Sequence, residues 1–156
     1  MKTMFGIAVA AVALAGILGS AAPRHAQNYI VKELNVGPSG NPDQFSPDFL
    51  KIQPGDSVTF QADDSGHDVM SMYNDIPAGA QPFQGQVGKT FTVTFTVPGV
   101  YAYKCQPHLS FGMVGMIVVG QPANVDKLSF AGLPRRAHDR LEALAAQAKS
   151  VATAAR

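Results

Sequence analysis

Apolar and polar residues alternate in short runs along most of this chain. Thr90 to Val97 is the clearest run: Phe91, Val93, Phe95 and Val97 recur at every second position with threonines between them. That period predicts a strand with one buried face and one wet face. Ser57-Val58-Thr59-Phe60-Gln61 alternates in the same way, and Tyr29 to Leu34, Val100 to Tyr103 and Val114 to Val119 are further strand candidates. Phe45, Phe49 and Ile52 lie in one more extended stretch. Turn residues close these runs: Gly37 to Pro42, Gln53-Pro54-Gly55-Asp56 and Pro98-Gly99. Closely spaced strands without intervening helices predict an all-β, antiparallel sandwich.

Two segments break the pattern. From Met72 to Gly88, Pro77, Gly79, Pro82, Gly85 and Gly88 interrupt any period, which predicts a long irregular connection. Beyond Gly120, Asn124 to Phe130 suggests a short helix, and a second begins at Leu133-Pro134. Ala137, Leu141, Leu144, Ala148 and Val151 then form one apolar stripe, as a helix covering one face of the sandwich would.

The start of the chain reads as a leader. Met1-Lys2-Thr3 is followed by an uncharged run from Met4 to Ala22 and by small residues, the pattern of a secretory signal peptide. A retained membrane anchor is the alternative, disfavoured by the many Ala and Gly residues. We expect a signal peptide over residues 1–26, cut between Ala21 and Gln27, then a metal-binding domain over 27–120 and a helical extension over 121–156 packed on it. Removing residues 1–26 leaves ten Lys plus Arg against eleven Asp plus Glu. Near-neutrality argues against a nucleic-acid binder.

Cys105 is the only cysteine. In an oxidising compartment it has no internal partner, so it is either an intermolecular or reactive thiol or protected by a metal. Its surroundings favour protection. Tyr103-Lys104-Cys105-Gln106-Pro107-His108 places a histidine three residues on, and Met113 follows before the last strand, so one loop can wrap three ligands around an ion. Gly66-His67-Asp68 supplies a fourth, with a glycine expected to allow close backbone approach. Alone, each residue would be core filler or surface. Together, one thiolate, two imidazoles and a thioether suit copper cycling between +1 and +2. Zinc takes Cys and His equally well, but a thioether is a poor zinc ligand.

These residues, with Pro54-Gly55-Asp56-Ser57-Val58-Thr59-Phe60, Ile76-Pro77-Ala78-Gly79-Ala80, Val93-Thr94-Phe95, Pro98-Gly99-Val100-Tyr101 and Gly112-Met113-Val114-Gly115, make the chain resemble the cupredoxins, and among them the pseudoazurins. The Cys-x2-His-x4-Met loop is shared with plastocyanins, whereas a helical extension favours pseudoazurins. The resemblance implies an eight-stranded Greek-key sandwich with two C-terminal α-helices, and one type 1 (blue) copper ion on His67, Cys105, His108 and Met113. It further implies a soluble, monomeric periplasmic one-electron carrier, not an enzyme. Its redox partners would dock near His108, on a patch expected to include Pro107, Leu109, Phe111 and Gly112, with a denitrification enzyme such as nitrite reductase as the acceptor. A copper store or chaperone is the alternative, with Met70 and Met72 as its exposed donors. The chain departs from the family at Asp68, where asparagine is usual, and at Phe111. Asp68 is expected to lower the reduction potential and make it pH-dependent.

Overall fold

The computed structural model describes residues 24–154, and most of the expected leader lies outside them. Eight strands form two four-stranded sheets. β1 (Asn28–Val36), β2 (Pro42–Ser46), β4 (Ser57–Ala62) and β6 (Phe91–Thr94) order as β2-β1-β4-β6. β3 (Phe49–Ile52), β5 (Met70–Ser71), β7 (Gly99–Lys104) and β8 (Val114–Val119) order as β3-β8-β7-β5. Between the sheets lies an aromatic core in which Phe45, Phe60, Tyr103, Phe83, Phe95 and Tyr101 meet mostly edge to face.

The sandwich is not purely antiparallel, which corrects the sequence reading. β1 runs parallel to β4, and β3 parallel to β8. The run read as one extended stretch through Phe45, Phe49 and Ile52 is two strands, one in each sheet, so the chain crosses to the second sheet at β3 and returns as β4 alongside β1. Parallel neighbours require such a crossover.

A second apolar layer lies outside β7 and β8. Val100, Ala102, Val114, Met116 and Val118 point away from the aromatic core and are covered by Ala137, Leu141, Leu144, Ala145 and Ala148 of α1 (Arg135–Ala154). The stripe read from the sequence is therefore the buried face of this helix. β8 is buried on both sides, which explains why its run is continuously apolar. Only one α-helix forms among the described residues: Asn124 to Phe130 holds a single 3-10 turn, Val125–Lys127. Its residues instead close a loop in which Asn124 exchanges hydrogen bonds with the Val100 backbone, and the Ser129 N–H donates to Asp75. The segment after Met72 is irregular as expected, with a 3-10 turn at Tyr73–Asp75.

Candidate metal centre

The centre sits at one end of the sandwich, where the loop after β7 meets the loop after β4. Cys105 directly follows β7 and points inward, in register with Tyr101 and Tyr103. Its backbone N–H donates to the Met113 carbonyl at 2.9 Å, which clamps both ends of the loop. Between them runs a 3-10 turn, Leu109–Phe111, and Gly112 at φ +86 reverses the chain into β8. A side chain at Gly112 would also meet Arg136 of α1 at 3.3 Å, so the helix packs against the ligand loop from outside. Arg140 of α1 reinforces this, donating to Asp48 at 2.9 and 3.1 Å and to the Gly112 carbonyl at 3.5 Å.

His67 comes from the other loop. Gly66 precedes it at φ +91 with nothing within 4 Å of where a Cβ would stand. The glycine is thus needed for its left-handed backbone and not for close approach, contrary to the sequence reading. The Gly88 N–H donates to the His67 carbonyl at 2.7 Å and fixes the loop.

These constraints bring three donor atoms together. His67 Nδ1 lies 2.9 Å from His108 Nδ1, and Cys105 Sγ lies 3.8 and 3.5 Å from the two nitrogens. All three fall within 4.8 Å of one another. Met113 is completely buried, as are Cys105 and His67, and lies with Cys105 in the aromatic core cluster. The donor set fits a soft cation. Two imidazoles at this separation cannot both present a lone pair to each other, and a cation between them resolves the conflict. Burial pushes the Cys105 thiol up to about 11, while backbone N–H groups of Asp68 and His108 bond its sulfur and act in the opposite sense. The thiolate therefore needs a metal to form here.

Outer partners prepare the ligands. His67 Nε2 lies 2.9 Å from Asn35 Oδ1, so Nε2 carries the proton and Nδ1 is left to bind. Burial, then the neighbouring His108, pulls the His67 pKa below its ordinary value, keeping the ring neutral. The Gln106 N–H donates to Asp68 Oδ1 at 2.7 Å, so the tie between the two loops is made with the carboxyl as acceptor and needs no proton on it. His108 is the ligand candidate that reaches the surface, its side chain 24% exposed and its Nε2 4.0 Å from Asp43. Pro107 and Phe111 lie exposed beside it and Leu109 half-buried, but Gly112 is buried beneath α1 and drops out of the expected patch. Sequence reasoning missed Asn35, Asp43 and the buried Glu33, because strand pairing and turns, not spacing, bring them to this end.

The copper-binding family described as plastocyanin/azurin matches residues 32–120. A pseudoazurin of Paracoccus pantotrophus is 39% identical over 88% of this chain and 94% of its own length. A putative pseudoazurin of Rhizobium leguminosarum bv. viciae is 40% identical over 94% and 95%. The chain belongs to the pseudoazurins. Solved pseudoazurin structures agree: that of Methylobacterium extorquens AM1 superposes with TM-score 0.72 at 36% identity, covering 77% of this chain and 98% of its own. That of Hyphomicrobium denitrificans gives 0.73 at 32%, covering 77% and 97%. Membership settles three matters left open by the residues. The fold is a cupredoxin sandwich, the cofactor is copper, and the protein is an electron carrier and not an enzyme.

Proposed function

We propose that His67, Cys105, His108 and Met113 ligate one type 1 copper ion, and that this protein carries single electrons between partner proteins in the periplasm after loss of a leader over residues 1–26. The observation that carries the reading is the convergence of His67 Nδ1, Cys105 Sγ and His108 Nδ1 within 4.8 Å at the buried end of the sandwich. Copper held there supplies a one-electron couple whose reduced state suits the thiolate and thioether and whose oxidised state suits the imidazoles.

The chain's own residues do the rest. Asn35 fixes the His67 tautomer, and the Cys105 proton leaves on loading. The Cys105 to Met113 backbone bond, the Asp68 tie and α1 hold the two loops in place, so the donors keep their positions across a redox cycle. His108 reaches the surface among Pro107, Leu109 and Phe111 and is where a partner docks. Val36 and Val87, both more than half exposed, adjoin residues bonded to His67 and extend the apolar rim. A denitrification enzyme of the nitrite reductase type is the proposed acceptor, and residues 27–120 and 121–156 are the copper domain and its helical brace.

Visible absorption and EPR spectra of the copper-loaded protein test the ligand set. Wild type gives an intense thiolate-to-copper band and the narrow hyperfine splitting of a type 1 site, and Cys105→Ser loses both. A wild-type protein without that band overturns the reading. Turnover of purified nitrite reductase with the reduced protein as sole electron source tests the partner.

A further inference from the structure

A groove of about 530 Å³ runs along the β5 edge of the second sheet; His67, Cys105 and His108 do not line it, and Met70, Met72, Tyr73, Asp75, Lys104 and Leu133 are among the residues that do. Strand alternation decides which side chains enter it. Ser71 turns inward, its hydroxyl accepting the Phe83 N–H at 2.9 Å. Met70 and Met72 therefore share the opposite, outer face. Met72 is anchored at the margin of the layer beneath α1, and its backbone N–H donates to Ala102 at 2.9 Å. Met70 is half-buried and stands opposite Lys104 in the ladder.

Leucine or isoleucine would floor this groove equally well if packing were its whole purpose. Two thioethers one residue apart on one face, both lining the same groove, with Met70 half-buried and Met72 nearly covered at its margin, instead offer a pair of soft, uncharged, flexible donors. Asp75 lies in the same wall, but its carboxyl is already engaged by the Ser129 N–H at 2.7 Å, so the thioethers are the donors. The Lys104 ammonium opposes a cation, but its four-carbon stem lets it swing out to water.

We propose that Met70 and Met72 form a second metal site, selective for Cu(I) over Cu(II) and Zn(II), open to solvent along β5. A thioether has no proton to lose. Cu(I) held there is therefore retained from neutral pH to pH 5, unlike metal on histidine and thiolate, whose release is driven by protonation.

Reduced, copper-loaded protein is titrated anaerobically with Cu(I) against a chromophoric Cu(I) chelator, at pH 7 and pH 5. In parallel, methionine methyl groups are followed by ¹³C NMR. The expected result is one further equivalent of Cu(I) at both pH values, with shifts confined to the Met70 and Met72 methyls. Met70→Leu weakens that equivalent at least tenfold while the thiolate-to-copper band returns unchanged on reoxidation, and Lys104→Gln tightens it several-fold. Absence of a further equivalent overturns the proposal. So does an equivalent that leaves both methyls unshifted in wild type, or one that survives in the Met70→Leu/Met72→Leu variant.

Discussion

Asp68 shows how one atom changes a redox site without changing its shape. The carboxyl occupies the position where asparagine is usual and makes the same acceptor bond to Gln106 that an amide oxygen could make. Geometry is conserved and charge is added. An anion this near the metal favours the more positive oxidised ion, so Asp68→Asn is expected to raise the reduction potential by roughly tens of millivolts. Voltammetry of the two proteins at fixed pH checks the sign. Glu33 poses a different case. Its side chain is buried between the sheets with both oxygens unpaired among the described residues, as is the hydroxyl of Tyr103. Burial, and after it the Asp68 charge, raises its pKa from 4.5 to about 7. The folded state thus binds the proton more tightly than the unfolded chain. Stability is full below about 4.5 and is lost as pH rises toward 7 and through it, by on the order of 2 kcal/mol. Glu33→Gln, which keeps the shape and cannot ionise, should flatten that decline in denaturant titrations between pH 5 and 8. Neither effect was fully legible in the chain. Asp68 stood out beside His67, but Glu33 alternates with Lys32 and Leu34 in an ordinary strand pattern, and its inward direction comes from pairing with Phe45 and Ala62.

At the scale of elements, α1 is both a cover and a brace. Its apolar stripe was plain in the sequence because a helix that buries one face must repeat every three to four residues. Its polar face was not. Arg140 reaches Asp48 and the Gly112 carbonyl across a long sequence separation, and no local pattern announces such a bond. Arg140→Ala should cost about 1 kcal/mol, since the pair is partly exposed. Hydrogen exchange should rise more at the Gly112 and Met113 amides than elsewhere in the sandwich; uniform loss of protection would mean that Arg140 serves overall stability only. Strand β5 was hidden for the opposite reason. Two residues of ladder leave no period to detect, and its pairing with Tyr103 and Lys104 exists only once β7 is in place. The over-long reading of β6 has a similar source: its alternation continues to Val97, but the ladder ends at Thr94 and Phe95 turns to bond Asp56 and Gly55.

At the scale of the molecule, two cores share one sheet, an inner aromatic layer that includes the ligand candidates Cys105 and Met113 and an outer aliphatic layer that holds α1. The convergence of His67, Cys105 and His108 could be anticipated from residue types and spacing because the chemistry of copper restricts both. The parallel pairs could not, because crossing from sheet to sheet leaves no mark on hydrophobic period. The two sheets are tied at Asp56, in the turn before β4, which accepts from the Gln53 N–H after β3 and the Gln27 N–H before β1 and closes the far end of the sandwich. Its carboxyl is buried, yet its pKa stays below the usual carboxylate range: burial raises it, and the Gln27 and Gln53 N–H groups with the Arg24 guanidinium outweigh that. Arg24 lies within the window in which a leader would be cut, and Gln27 closes it. A cut before Arg24 keeps the guanidinium 2.5 Å from Asp56. A cut after Ala26 removes it but turns the Gln27 nitrogen, 2.9 Å from the same carboxyl, into an ammonium ion. At either of these two cuts the buried anion keeps a cation within reach, whereas a cut after Arg24 or His25 would remove the guanidinium without placing the new terminus at Gln27.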